Sequence, residues 1–247
     1  MNDAALLDCD WRPPAGVRAA FTTRRGGVSA SPWDSFNLAL HVGDAPADVA
    51  ANRARLAAML ALPAEPAWLE QVHGVAVCDL DATAAESPVT ADAAIARSPG
   101  HVCVVMVADC LPVLFASRDG RHIAAAHAGW RGLAAGVLER TVDALGVAGA
   151  ELTAWLGPAI SRGHFEVGDE VRSAFVSHDA GAATAFVPNA RGRWQADLFA
   201  LARLRLAALG ITQVAGGGWC TFADRARFFS HRRDGKGGRM AALIWRT

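Results

Sequence analysis

Three short segments place metal-competent polar side chains where an apolar run meets a turn: Gln71-Val72-His73-Gly74, Ala108-Asp109-Cys110-Leu111-Pro112, and Ala126-His127-Ala128-Gly129-Trp130-Arg131-Gly132. Gly74 permits close backbone approach beside His73, and loops at strand ends are where sites are commonly assembled. His73, Cys110 and His127 together offer two imidazoles and a thiolate. That three-donor set suits Zn²⁺ and leaves a fourth position for water or substrate. The same atoms support a second chemistry, with Cys110 as nucleophile and His127 as its base, which needs only spatial proximity. A third, purely structural account makes Cys110 a small buried hydrophobe and the histidines hydrogen-bonded turn residues. The three residues are far apart in the chain, so spacing alone does not choose among these as HExxH or CxxC would.

The elements that must bring them together are legible in outline. Short strand-like runs cover Trp68 to Val72, Val75 to Leu80, Ala91 to Ile95, Val102 to Val107, Val113 to Ser117 and Ile123 to His127. Helices are expected over Ala47 to Leu62, with Asp48 in the first turn and Pro63 beyond the end, and from about Leu133 to Leu145 after Gly129 and Gly132. Further on, Thr153 to Leu156 reads as a strand, Gly168 to Ser177 and Trp194 to Leu209 as helices, and Ile211 to Ala215 and Met240 to Trp245 as strands. Phe21 to Leu40 is a Gly, Ser, Thr, Asn and Asp-rich loop with a Gly26-Gly27 turn, a composition that can bind anions. With strands and helices interleaved, but some strands joined by short turns, a mixed sheet in α/β layers is expected. No linker or internal repeat divides the chain, so one catalytic domain over 1–247 is expected.

Composition narrows the function classes. The 247 residues are 52% hydrophobic, enough for a substantial core, which excludes a disordered tail or a small disulfide scaffold. The 24 basic and 24 acidic residues cancel, leaving no long-range field to draw the chain onto nucleic acid or an anionic membrane. Lys236 is the one lysine, so the arginine-rich balance reflects codon usage rather than nucleic-acid binding. Five scattered cysteines, Cys9, Cys78, Cys103, Cys110 and Cys220, read as reduced thiols of a cytoplasmic protein. Asp3, Asp8 and Asp10 argue against a signal peptide, and the most apolar stretch, Val102 to Ala116, is interrupted and too short to span a bilayer. A multicopper oxidase needs many histidines in HxH pairs, whereas this chain has eight histidines and no such pair.

Beyond these readings, TTRRGGVS, FNLALHVGD, NRARL, LEQVHG, TADAAI, VADCLPVLF, AAAHAGWRG, GPAIS with FEVGDEV, WQADLFALARLRLAALGI and FFSHRRDGKGGRMAALIW together resemble a bacterial family. It is the purine nucleoside phosphorylase family long labelled laccase-domain or polyphenol oxidase proteins. The resemblance runs from about Phe21 to Trp245. It departs from the family pattern at His231 and Gly237, where related chains commonly have FFSYRRDG and TGRM, and at Ser161, where they often have GPAIG. It implies layered mixed β-sheets flanked by helices, similar to the catalytic domain of cytotoxic necrotizing factor. It also implies a metal site on His73, Cys110 and His127, phosphorolysis of adenosine, inosine and methylthioadenosine, and adenosine deamination. Zinc is the expected metal and copper the lesser candidate.

Phosphorolysis requires a phosphate at C1′ of the sugar, for which arginine forks are suited. Arg24 and Arg131 are expected to face the site, with Asn37 binding substrate hydroxyls. Cys110, His127 and Asp109 are the candidate catalytic residues, Asp109 as a carboxylate orienting His73 or His127. The partners expected are a purine nucleoside and phosphate, with a second copy in a homodimer, and neither nucleic acid nor membrane. His41, His101, His122, His164 and His178 are read as structural or solvated, and Cys220 as a buried thiol. Arg232, Arg233 and Arg239 form a basic cluster with Asp234 that could contact phosphate. The alternatives are a cysteine hydrolase or amidase acting on a cell-wall precursor through Cys110 and His127, and a non-enzymatic binding module.

Overall fold

The computed structural model describes residues 5–82 and 89–247, so Asp3 lies outside the described residues. Among the described residues, twelve strands and six α-helices follow one another in the order β1 (Val17–Phe21), α1 (Pro46–Leu60), β2 (Val77–Asp79), β3 (Ala93–Ala96), β4 (Val102–Val107), β5 (Leu111–Ser117), β6 (Ile123–Ala128), α2 (Trp130–Ala135), α3 (Val137–Leu145), β7 (Leu152–Leu156), β8 (Glu166–Val167), α4 (Asp169–Val176), β9 (Phe186–Pro188), β10 (Trp194–Ala196), α5 (Leu198–Ala208), β11 (Gln213–Gly216), α6 (His231–Asp234) and β12 (Met240–Arg246). A six-stranded mixed sheet runs β11-β7-β5-β6-β3-β2, with a three-stranded antiparallel sheet β1-β12-β4 and a small sheet β8-β10-β9.

The near-continuous apolar strands follow from burial on both faces. Residues alternate between faces along a strand, so Val102 and Val104 of β4 pack with Leu56 of α1, while Cys103, Val105 and Val107 pack toward Leu114, Ala116 and Ala125 of the six-stranded sheet. That sheet turns Val113, Phe115 and Ala126 the other way, against Leu138 and Val142 of α3 and Leu201 and Leu206 of α5. The result is four layers: α1, the three-stranded sheet, the six-stranded sheet, then α3 and α5. Fully burying one side chain such as Phe115 stabilises by about 1.5–3 kcal/mol. Among the described residues no helix is long and apolar enough to cross a membrane.

Three elements differ from the sequence expectation. Trp68 to Val72 forms only one isolated bridge, Glu70 with Thr90, with a second just before it at Ala67 with Cys103. The Gln71 side-chain amide takes over instead, its Nε2 donating to Met106 C=O at 2.9 Å while its Oε1 accepts from Met106 N–H at 2.7 Å. One side chain thus satisfies both backbone groups of Met106 on the open edge of β4. The helix expected from Leu133 begins at Trp130 and breaks at Gly136, whose φ of 98° strongly favours glycine. Trp194 to Ala196 is a strand rather than a first helical turn, because Asp197 caps α5 by accepting from Ala200 N–H.

Candidate metal centre

Sheet register brings the three segments into one place. Cys110 sits in the turn where the chain leaves β4 for β5, and Pro112 of β5 pairs with His127 near the end of β6. On the other side of β6, Ala93 pairs with Ala126, which sets Asp92 beside His127. His73 enters on the loop before β2. The ligand atoms of His73, Cys110 and His127 all lie within 4.8 Å of one another. Cys110 Sγ is 3.7 Å from His73 Nε2, and the two imidazoles meet edge to face at 4.8 Å.

Asp92 is the post that holds this cluster. Fully buried, its carboxylate accepts from the backbone N–H groups of Val72 at 3.2 Å, His73 at 2.9 Å and Gly74 at 2.6 Å, and contacts His127 Nδ1 at 2.8 Å. With the Nδ1 proton committed to Asp92, His127 presents Nε2 as its ligand atom. His73 adopts φ of 62°, a left-handed conformation disfavoured for a residue with a Cβ, and the three N–H contacts to Asp92 hold it there. Asp92 was not among the residues expected from the sequence; its signal was a lone carboxylate near the start of the apolar run Ala91 to Ile95 inside TADAAI.

The electrostatics follow from this geometry. Burial alone would push the Cys110 thiol up, but the charges and hydrogen bonds of His127 and His73 outweigh it and bring the thiol down to about 6. Burial would discharge His127, but the Cys110 thiolate and the Asp92 carboxylate keep it protonated above its ordinary range. Asp92 would likewise be raised by burial, yet the hydrogen bond from His127 and the backbone donors hold it low. An anionic sulfur beside two imidazoles is a donor set that fits a divalent cation. The cradle is tight: a Cβ at Gly129 would stand 2.9 Å from Cys110 Sγ and 2.9 Å from His73 Cδ2. His73 is exposed and His127 is 3% exposed, so the centre opens on the His73 side.

A family model described as multi-copper polyphenol oxidoreductase laccase matches residues 18–247. The chain belongs to that family. Within this laccase-domain family, it is 56% identical over 98% of its length to a protein of Pseudomonas aeruginosa named purine nucleoside phosphorylase, of which it covers 98%. It is 52% identical over 97% of its length to purine nucleoside phosphorylase YfiH of Escherichia coli, again covering 98%. Among solved structures, a Neisseria meningitidis protein superposes with a TM-score of 0.94 at 48% identity, covering 98% of this chain and 99% of that one. YlmD from Geobacillus stearothermophilus gives 0.92 at 32%, covering 100% and 97%. The multi-copper description contrasts with the donor inventory, because among the described residues of this laccase-domain chain one cluster of three metal-competent groups is present.

The remaining expected site residues sort differently. Asp109 does not orient either imidazole: its Oδ1 accepts from Thr221 Oγ1 at 2.6 Å and its Oδ2 from Ser230 Oγ at 3.0 Å and Arg232 N–H at 2.6 Å. It ties two C-terminal segments, the loop at Thr221 and the start of α6, to the turn carrying Cys110, at a φ of 98°. Asn37 is fully buried and structural, donating to Ala39 C=O and Asp44 and accepting from the N–H groups of Ala39 and Arg239. Arg24 is spent on Asp34, the Arg225 carbonyl and the face of Phe229. Arg131 is exposed over the Trp130 ring at 4.5 Å, four residues beyond His127. Cys220 is half-buried and accepts from Ser161 Oγ at 3.0 Å, so the departure at Ser161 contributes a hydrogen bond beside the site.

Proposed function

We propose that the chain is a zinc-dependent purine nucleoside phosphorylase acting on adenosine, inosine and methylthioadenosine, with adenosine deaminase activity. The observation that carries this is the convergence of His73, Cys110 and His127 on one point under a single buried carboxylate, in a chain whose near-full-length relatives bear the phosphorylase name. In phosphorolysis a phosphate oxygen bonds to C1′ as the C1′–N9 bond breaks; the bonding pair leaves with the purine, which takes up a proton. When bound by His73, Cys110 and His127, zinc supplies Lewis acidity at the substrate's reacting atoms. Asp92 holds the Nδ1 proton of His127 and the His73 backbone, so both imidazoles are oriented before substrate arrives. Asp109 anchors Thr221, Ser230 and the start of α6 around the same opening. The unbridged state of all five cysteines supports a cytoplasmic setting.

One observation favours a second function: a thiol held near 6 beside a protonated histidine is the resting state of a Cys–His nucleophile, as in a cysteine amidase. Against it stands His73, whose Nε2 lies 3.7 Å from the same sulfur and adds a third metal-competent donor that a Cys–His nucleophile does not need. Purified protein given inosine or adenosine with phosphate, with products separated chromatographically and metal measured in parallel, distinguishes the two. Hypoxanthine or adenine with ribose-1-phosphate and one zinc per chain supports the phosphorylase. Metal-free protein that is acylated on Cys110 by an amide substrate and makes no ribose-1-phosphate sinks it.

A further inference from the structure

The basic cluster near the C-terminus resolves into three arginines with different commitments. Arg233 is saturated by Asp234 and by the carbonyls of Thr221, Phe222 and Phe228. Arg232 lies over Phe165 and donates to Glu166 C=O. Arg239 differs. It immediately precedes Met240, which pairs with Val107, so it stands across from Ala108, two residues before Cys110. Its backbone is clamped on both sides, its N–H donating to Asn37 Oδ1 at 2.9 Å and its C=O accepting from Leu38 N–H at 3.4 Å. The buried Asn37 therefore fixes the backbone of this arginine.

The Arg239 guanidinium is half-buried, and among the described residues no carboxylate pairs with it. Only Nη1 is engaged, by the carbonyls of Gly237 and Gly238 at 3.1 Å each. Burial lowers its pKa, and the opposing charges it feels are those of Cys110 and Asp109. Asp109 already accepts three hydrogen bonds and the Cys110 sulfur belongs to the metal cluster. Nε and Nη2 thus remain as adjacent donors on a residue whose backbone stands across from Ala108, and they form the fork that matches two oxygens of an oxyanion. A partly buried cation without a counter-ion is costly, and a bound anion relieves that cost.

We infer that Arg239 binds the phosphate co-substrate, presenting Nε and Nη2 to its oxygens beside the His73, Cys110 and His127 centre. This rests on the phosphorolysis proposed above. The test is a phosphate titration of nucleoside turnover by the zinc-loaded wild type, Arg239→Gln, Arg239→Lys and Arg131→Gln, with zinc content measured on each and inorganic phosphate binding followed by calorimetry. Arg239→Gln is expected to raise the phosphate KM tenfold or more while the nucleoside KM and zinc content hold; Arg239→Lys, which keeps the charge without the fork, is expected to fall between. A phosphate KM within twofold of wild type in both Arg239 variants overturns the assignment and leaves phosphorolysis standing, as does the tenfold rise appearing in Arg131→Gln instead. Phosphate bound by the wild type and lost in both Arg239 variants, without turnover by any form, upholds the anion site and overturns the phosphorylase. Should Arg239→Gln fail to fold, Arg239→Lys alone decides.

Discussion

His127 and Asp92 are joined twice, by a 2.8 Å contact from Nδ1 to Oδ1 and by a 2.7 Å backbone hydrogen bond from His127 N–H to Asp92 C=O. Because the same carboxylate also receives the N–H groups of residues 72–74, the two candidate histidine ligands share one support. Replacing Asp92 with Asn puts an amide NH₂ where one carboxylate oxygen accepts backbone donors. The expected result is a 10–100-fold loss of zinc affinity in competition with a chromogenic chelator. Asp92→Ala is expected to cost about 3–5 kcal/mol of stability in chemical denaturation, since it strips a buried histidine of its partner. Unchanged zinc affinity in Asp92→Asn would mean that the carboxylate does not orient the ligands.

Gly129→Ala tests the tightness of the cradle. Its methyl would stand 2.9 Å from both the Cys110 sulfur and a His73 ring carbon, closer than real Cβ contacts come, so a neighbour must move. His73 is on an exposed loop and can retreat, so the fold is expected to survive while zinc content falls below half a mole per chain. Full zinc occupancy measured by atomic emission would count against the proposed ligand positions.

The Cys110 thiol sets a pH dependence in the metal-free protein. Its pKa is depressed from an ordinary 9.0 to about 6, so the thiolate is present above about pH 6 and lost as the pH falls through it. Iodoacetamide labelling of Cys110, read by mass spectrometry, is therefore expected to rise about tenfold per unit below pH 6 and to level off above. Cys9, pushed up to about 12 by burial and the charge of Asp10, should stay unlabelled throughout. A Cys110 midpoint near 9 would contradict the geometry, and added zinc should suppress labelling.

Gln71→Ala removes both hydrogen bonds that close the edge of β4 at Met106. Leaving the Met106 N–H and C=O without these partners is expected to cost about 1–3 kcal/mol, seen as a lower midpoint in urea. A midpoint within error of wild type would show that water replaces the amide without cost.

How far these features could be read in advance depended on range. Val102 to Val107 and Ile123 to His127 announced themselves, because strands buried on both faces are continuous apolar runs. The strands Glu166–Val167 and Phe186–Pro188 are too short to carry a period, and Asp197 inside an apolar stretch hid the true start of its helix. The donors His73, Cys110 and His127 were visible as residue types at strand ends, whereas Asp92 became legible only through strand pairing with the segment bearing His127, 35 residues away. Asp109 was the wrong carboxylate because adjacency to Cys110 in sequence does not set the direction of its side chain. Asn37 and Arg239 are 202 residues apart, a separation no local pattern spans.

Metal binding by His73, Cys110 and His127 is what makes this chain a nucleoside phosphorylase in the function proposed above. It is tested most directly by His73→Ala, with zinc content and phosphate-dependent release of hypoxanthine from inosine measured on the same preparation as the wild type. The expected result is one zinc per chain and stoichiometric ribose-1-phosphate in the wild type, with both lost in a variant that remains folded. Phosphorolysis at the wild-type rate by zinc-free His73→Ala would contradict it.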